Sequence, residues 1–159
     1  MLNCIVAVDQ NQGIGFQNTM PWPFLKEDLK FFKNITTNNV VVMGSNTYKS
    51  IGKALPNRIN IVITKNIYSD ADHLIHDPNL VLNFCNTNYP DKEIFIIGGS
   101  AVYETFKFLI DRFYITEIGN TFTCDRFFDL DYVRNNFPKI KTHFEYHQPI
   151  PFTIKEYNL

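Results

Sequence analysis

Short runs of apolar, β-branched residues alternate along the chain with segments of helical periodicity. The predicted strands are LNCIVAV (2–8), VVVM (40–43), INIVIT (59–64), HLI (73–75), EIFII (93–97) and FYITEI (113–118). The helical patterns lie near 25–34, at SNTYKSI (45–51), near 78–86 and at 101–109. Several strands are too continuously apolar to have a face in solvent. The alternation therefore predicts a mostly parallel sheet covered by helices on both sides.

The last third of the chain has a different pattern. THFEYH (142–147) and FTIKEY (152–157) alternate polar and apolar residues with a period of two. No helical pattern separates them, so we expect antiparallel strands at one side of the sheet. The fold class predicted is α/β with one mixed sheet, and a length of 159 residues fits a single domain over 1–159.

A helical wheel places one carboxylate of the first helix among its apolar positions. At about 100° per residue, Leu25, Leu29 and Phe32 form one stripe. Asp28 lies on that side, next to Phe32, whereas Glu27 lies on the lysine-rich face. We therefore predict that Asp28 points inward and Glu27 points to water.

An inward carboxylate is costly unless a partner compensates it. The wheel leaves two alternatives open. Asp28 has a structural partner, such as a backbone segment, Arg58 or Arg112, or a bound ligand completes it, as at many functional sites.

Two predicted strands run into glycines that are followed by possible helix caps. Gly44 precedes Ser45, Asn46 and Thr47, and Gly98–Gly99 precedes Ser100. Helix N-termini offer unpaired N–H groups to anions, and glycine lets the backbone approach a phosphate closely. Two such junctions at the ends of parallel strands can clamp a dinucleotide. The Rossmann GxGxxG and P-loop GxxxxGK patterns are absent, so any dinucleotide is held differently.

Composition narrows the classes of function. Fifteen Lys and Arg against sixteen Asp and Glu, scattered without runs, give a net charge of −1 and no electrostatic footprint for nucleic acid or a membrane. We expect a small-molecule partner.

The N-terminal segment has no cationic region and only a short apolar run, so we expect a buried strand and a cytoplasmic location. Three cysteines without CxxC spacing predict reduced thiols, and HFEYH on a strand separates its histidines too far for a metal site.

Five ordered segments together resemble dihydrofolate reductase. They are GIGFQNTMPW, an aspartate six residues after Trp22, VVVMGSNTYKSIG, LPNRINIVIT and IIGGSAVYE. The resemblance runs across the chain. It implies an eight-stranded mixed sheet, mostly parallel with an antiparallel C-terminal strand, flanked by about four helices. It also implies a monomer that antifolates inhibit and that transfers hydride from NADPH to C6 of 7,8-dihydrofolate, with protonation at N5.

By position, the resemblance assigns Asp28 as the carboxylate that binds the 2-amino group and N3 of the pterin, supported by the hydroxyl of Thr116. The negative charge of Asp28 stabilises the positive charge that develops on the pterin ring. The proton for N5 arrives from water. Arg58 resembles the arginine that grips the α-carboxylate of the glutamate tail, which a planar guanidinium matches bidentately. The other substrate contacts implied are Ile5, Val6, Leu29, Phe32, Ile51, Leu55 and the carbonyl of Ile97.

The resemblance also implies the residues that hold NADPH. Met20 and Trp22 correspond to the active-site end of a mobile loop that closes over the nicotinamide, and Tyr103 lies near that ring. With Asp28 and Thr116, these three residues make up the implied catalytic group. Gly98–Gly99 matches a dipeptide joined by a cis bond. The other implied contacts are Ala7, Ile14, Gly15, Asn18, Gly44, Ser45, Asn46, Thr47, Thr64, Lys65, Ile97, Ser100, Ala101 and Val102.

Some positions depart from the family pattern. Ser45 stands where many members place a basic residue, and Ala101 where some have an arginine. Lys65 is then the remaining cation expected to bind the adenosine 2′-phosphate. Because fewer cations contact that phosphate, we expect weaker discrimination between NADPH and NADH. Asp125 matches a loop aspartate that positions the Met20 segment, but Arg126 follows it where a small hydroxyl residue is common.

Two other functions fit parts of this pattern. One is a reductase of similar fold that acts on a pyrimidine in riboflavin synthesis. The other is a folate- or nucleotide-binding structural component with little turnover. Asp28 and Arg58 argue against the first, because that substrate has no glutamate tail. A structural component could lose the catalytic residues of the family, and nothing in this sequence shows such a loss.

Overall fold

A mixed sheet is the centre of the computed structural model, which describes residues 1–147 and 149–159. The strands are β1 (Leu2–Val8), β2 (Gly13–Gly15), β3 (Val40–Gly44), β4 (Ile59–Ile63), β5 (His73–Ile75), β6 (Ile94–Gly98), β7 (Arg112–Ile118), β8 (Arg126–Phe127), β9 (Lys139–Tyr146) and β10 (Phe152–Asn158). Eight of them form one sheet in the order β5-β4-β3-β6-β1-β7-β10-β9. The first six in that order are parallel, and β10 is antiparallel to both of its neighbours. The predicted fold class is confirmed.

The central strands have no solvent face because both of their faces are covered. Along β3, Val40 and Val42 pack into one apolar cluster, whereas Val41 and Met43 pack into another on the opposite face. All four side chains are fully buried. Alternate residues of a strand point to opposite faces, so an unbroken apolar run is what a doubly covered strand requires.

Five α-helices flank the sheet among the described residues. They are α1 (Lys26–Thr36), α2 (Ser45–Ile51), α3 (Val81–Asn88), α4 (Ser100–Phe106) and α5 (Leu130–Asn136). Residues of α1 and α2 pack on one face of the sheet, and residues of α3, α4 and α5 pack on the other. No helix in the described part of the chain has the length and apolar composition that a membrane span requires.

The expectation of about four helices missed α5. The Asp129 side chain accepts a hydrogen bond from the backbone N–H of Tyr132 at 3.0 Å, which caps the start of α5. Leu130 and Val133, three residues apart, are its buried positions. An aspartate before an apolar i, i+3 pair is a usable sequence signal for a short helix. The predicted helix at 101–109 is also shorter, since α4 ends at Phe106 and a 3₁₀ turn follows.

A second, two-stranded sheet joins β2 and β8, which the sequence pattern did not predict. The buried carboxylate of Asp9 organises the segments around it. It accepts hydrogen bonds from the N–H groups of Asn11 at 2.9 Å, Gly13 at 2.8 Å and Phe122 at 2.8 Å. A Cβ on Gly13 would lie 2.3 Å from the sulfur of Cys124, so only glycine fits there. The turn after β1 and the 119–125 loop are thereby held together.

Candidate active site

A cavity of about 840 Å³ opens over the carboxyl-terminal parts of β1, β3, β4 and β6. Helices α1 and α2 and the segment from Ile14 to Met20 complete its walls. The cavity brings together every predicted substrate-binding residue and all the predicted cofactor residues except Thr64 and Lys65. Of the predicted catalytic residues, only Trp22 does not line the cavity.

The carboxylate of Asp28 lies on the cavity wall, while its neighbour Glu27 does not line the cavity. The hydroxyl of Thr116, a buried residue of β7, donates a hydrogen bond to Oδ1 of Asp28 at 2.5 Å. Burial raises the pKa of Asp28 above the ordinary value for aspartate, and the bond from Thr116 partly offsets that rise. Asp28 therefore faces the cavity, as the helical wheel predicts, while Glu27 is only partly exposed to water.

The two arginines proposed as structural partners lie elsewhere. Arg112 pairs with Glu93 at 2.8 Å, and Arg58 donates to the carbonyl of Pro56 and to the hydroxyl of Thr36. Within residues 1–147 and 149–159, no cation forms an ion pair with Asp28 and only Thr116 hydrogen-bonds to it. Of the two alternatives, the structure therefore favours a ligand as the partner of Asp28.

Arg58 is held at the cavity wall by three contacts. Its Nε donates to the carbonyl of Pro56 at 2.9 Å and a terminal nitrogen donates to the hydroxyl of Thr36 at 3.2 Å. Its guanidinium carbon lies 6.0 Å from the ring centre of Phe32. Partial burial lowers the pKa of Arg58 from its ordinary value, but an arginine stays charged in proteins. A half-buried cation without a carboxylate partner in the described chain suits an anionic ligand group.

Glycines form the part of the wall where β3 and β6 end. Met43 and Gly98 are paired across the two strands, and the Gly98–Gly99 peptide bond is cis, as the resemblance implied. Gly98 has a φ of 130°, a backbone region open to glycine, and a Cβ there would lie 3.2 Å from Oγ1 of Thr47. These strand ends therefore present bare backbone to the cavity.

Tyr103 lines the cavity and is hydrogen-bonded to the backbone of β1. Its hydroxyl donates a hydrogen bond to the carbonyl of Ile5 at 2.8 Å. Burial raises the pKa of Tyr103 well above the ordinary value, so the phenol stays neutral. The side chain acts as a hydrogen-bond donor and not as an acid.

The segment from Ile14 to Met20 is tied to the loop that contains Asp125. The N–H of Gln17 donates to the Asp125 carboxylate at 3.0 Å, and the N–H of Asp125 donates to the carbonyl of Gly15 at 2.8 Å. The side chain of Met20 is 54% exposed and still lines the cavity. The contact expected between Asp125 and this segment is thus present.

Three predicted site residues do not reach the cavity wall. Trp22 is buried in a cluster with Leu25 and Ile118, where the indole packs edge-on against the ring of Phe122. The hydroxyl of Thr64 accepts a hydrogen bond from the N–H of Asn66 at 2.9 Å. Lys65 is exposed beside it. The family pattern fixes their positions along the chain, but packing decides which side chains face the cavity.

Five lining residues were not predicted, namely Thr19, Lys33, Ser50, Ile63 and Arg126. Lys33 lies four residues after Leu29 on α1, but the helical wheel places it with the lysine-rich face, so its position on the cavity wall was not expected. Ile63 is the last residue of β4, where ligands are expected in parallel sheets. Arg126 has no local signal, because it reaches the cavity only through the pairing of β8 with β2.

Comparison with known proteins agrees with this geometry. A cleft at the carboxyl ends of parallel strands, with glycine backbone on its wall, is typical of α/β proteins that bind a dinucleotide. The family model described as "Dihydrofolate reductase" matches residues 1–159. The chain belongs to the dihydrofolate reductase family.

Individual relatives support the same assignment. The chain is 38% identical over 152 residues to the viral dihydrofolate reductase of Saimiriine herpesvirus 2 (strain 488), covering 80% of this chain and 68% of that protein. It is 39% identical over 130 residues to the dihydrofolate reductase of Bacillus subtilis (strain 168), covering 80% and 75%. A solved structure of dihydrofolate reductase from Enterococcus faecalis, complexed with NADP(H) and RAB-propyl, superposes with a TM-score of 0.84. That structure is 29% identical in sequence, and the match covers 99% of this chain and 95% of that one. These matches favour the reductase over both alternative functions.

Proposed function

We propose that this chain reduces 7,8-dihydrofolate to 5,6,7,8-tetrahydrofolate with NADPH as hydride donor, supporting one-carbon and thymidylate metabolism. The observation that carries the proposal is Asp28, a carboxylate on the cavity wall whose pKa is raised by burial. Only the hydroxyl of Thr116 compensates it in the described chain. A ligand with two N–H donors in one plane supplies the missing partner, and the 2-amino group and N3 of a pterin are such donors.

Asp28 and Thr116 orient the pterin and stabilise its reacting form. A negative charge in a partly desolvated site lowers the energy of positive charge that develops on the ring when N5 is protonated. The bond from Thr116 favours the ionised carboxylate that this role requires. The proton reaches N5 from water, since Asp28 binds the opposite side of the pterin.

The rest of the substrate follows the wall from Asp28 to Arg58. Leu29, Phe32, Ile51 and Leu55 line this part of the cavity and form an apolar enclosure for the aminobenzoyl ring. Arg58 lies beyond them with its guanidinium beside Phe32. It binds the α-carboxylate of the glutamate tail.

The other half of the wall fits a dinucleotide. The bare backbone at Gly44 and Gly98–Gly99 admits a pyrophosphate, and a Cβ at Gly44 would lie 3.0 Å from Cγ2 of Val102. Residues 44–47 and 97–103, with Ala7, would hold NADPH, which supplies the hydride when bound. The segment from Ile14 to Met20 covers the reacting ring and excludes water from it.

The deciding experiment measures the loss of NADPH absorbance with 7,8-dihydrofolate for wild type, Asp28→Asn and Glu27→Gln. We expect Asp28→Asn to lower kcat at neutral pH by roughly a hundredfold or more, with partial recovery in acid, where the substrate protonates itself. NADPH binding should stay within about twofold of wild type. Glu27→Gln removes the same charge one residue away, off the cavity wall, and should keep its activity. Full activity of Asp28→Asn at neutral pH would rule out the mechanism, and an inactive wild type would rule out the function.

We further infer a cytoplasmic monomer that acts on small molecules only and binds antifolates in place of dihydrofolate. The near-balanced charge of −1 supports small-molecule partners, and the free thiols of Cys4, Cys85 and Cys124 support a reducing compartment. Light scattering during size-exclusion chromatography tests the monomer. A mass of twice 18.6 kDa would contradict it.

A further inference from the structure

The cations on the cavity wall are unevenly placed. Within the described chain, the lining contains three of them, Lys33, Arg58 and Arg126. Lys33 and Arg58 lie on the side proposed for the substrate. Arg126 lies on β8, next to the segment from Ile14 to Met20 on the side proposed for the cofactor. It is the one basic side chain that the described residues contribute to that side of the wall.

The backbone of Arg126 is fixed against β2. Arg126 is the cross-strand partner of Gly15, and the N–H of Asp125 donates to the carbonyl of Gly15 at 2.8 Å. A Cβ on Gly15 would lie 3.9 Å from Cβ of Arg126, so the two residues are close neighbours across the strand pair. The base of the arginine side chain is therefore held beside the residue expected to contact the nicotinamide.

The guanidinium of Arg126 remains available to a ligand. Its one hydrogen bond among the described residues goes to the carbonyl of Asp125, at 3.1 Å. It forms no ion pair there, and the nearest acid along the chain, the carboxylate of Asp125, accepts from the N–H of Gln17 instead. An arginine has five N–H donors, so most of those on Arg126 are free of protein partners.

The rest of the cofactor wall lacks positive charge. Ser45, Asn46 and Ala101 stand at the glycine junctions, where we expect the phosphates of a bound dinucleotide. Lys65 follows β4 in the eight-stranded sheet, whereas Arg126 lies on β8 in the separate two-stranded sheet. Of these two cations, Arg126 alone lines the cavity.

We infer that Arg126 binds the diphosphate of the dinucleotide from its nicotinamide side, replacing the charge that the glycine junctions lack. This inference rests on the proposed function. Since both NADPH and NADH contain the diphosphate, Arg126 contributes equally to the affinity for each. It adds affinity for the cofactor without discriminating between the two forms, whereas a reader of the 2′-phosphate favours NADPH alone.

The experiment measures the Kd of NADPH and of NADH by quenching of protein fluorescence, without substrate, for wild type, Arg126→Ala and Arg126→Lys. Arg126→Ala should raise the Kd of both cofactors by the same factor, about three- to tenfold. This range lies between the contribution of an exposed ion pair and that of a charged hydrogen bond in a cleft. Arg126→Lys keeps the charge and should recover most of the affinity. The Kd of Arg126→Ala should also depend less on salt concentration than that of wild type.

Lys139→Ala is the matched control. Lys139 is exposed on β9 and does not line the cavity, so its removal changes the net charge equally and should leave both Kd values unchanged. An unchanged Kd in Arg126→Ala, an effect on NADPH alone, or equal losses in Arg126→Ala and Arg126→Lys would each overturn the inference. Failure of the wild type to bind NADPH would instead reject the proposed function.

Discussion

Replacing Asp28 by asparagine should stabilise the ligand-free protein while it lowers turnover. Asparagine keeps an oxygen that can accept the bond from Thr116, which is 2.5 Å long in the wild type, so the substitution removes mainly the charge. Burial raises the pKa of Asp28, which means that the ionised form costs free energy in the folded chain and not in the unfolded one. For a half-buried carboxylate with one hydrogen bond we expect a gain of about 1 kcal/mol. In a chain of this length, that gain raises Tm by about 2–4 °C.

The stability gained by Asp28→Asn should increase with pH. Because the folded-state pKa of Asp28 lies above its unfolded-state value, wild type is not penalised below the unfolded-state pKa. The penalty develops as pH rises through the folded-state pKa and is constant at higher pH. Thermal unfolding of wild type and Asp28→Asn, followed by circular dichroism from about pH 4 to about pH 8, should show a Tm difference that grows with pH.

Glu27→Gln is the control for this measurement. Glu27 and Asp28 both lie in the first turn of α1, so each gains from the helix dipole, but Glu27 does not line the cavity. The control should lose a little stability instead of gaining any. A lower Tm for Asp28→Asn at about pH 8, or an equal gain in Glu27→Gln, would refute the view that Asp28 is an uncompensated charge.

Three further substitutions test other parts of the site. Thr116→Val removes the hydrogen bond that lowers the pKa of Asp28, so the pKa of Asp28 should rise. The pH profile of kcat/KM should then move to higher pH, and an unmoved profile would contradict this coupling. Arg58→Lys keeps the charge but loses the planar fork, and should raise KM for dihydrofolate about tenfold without changing the Kd of NADPH; a KM equal to that of wild type would exclude the tail contact. Lys65→Ala should raise KM for NADPH more than for NADH in steady-state assays, and equal effects would reject Lys65 as the reader of the 2′-phosphate.

The central sheet and the inward carboxylate could be predicted because their signals are local. The run VVVM is buried on both faces, and a strand with that environment requires an unbroken apolar sequence. Asp28 follows from the angle between successive residues of a helix, which is the same in every helix. The short helix α5 was missed although it has a signal of this kind, the Asp129 cap before the buried pair Leu130 and Val133.

The sequence by itself determined the succession of the central strands and helices along the chain, the side of α1 that faces the cavity, and the two glycine junctions, since each depends on residues close together in the chain. Only the tertiary structure decided that Trp22 packs in the core and that Lys65 stays off the wall. It also brought Arg126 to the cavity, through a pairing of β8 with β2 across more than a hundred residues. Such placements depend on contacts between distant segments, and a linear pattern of apolar and polar residues does not encode which distant segments will meet.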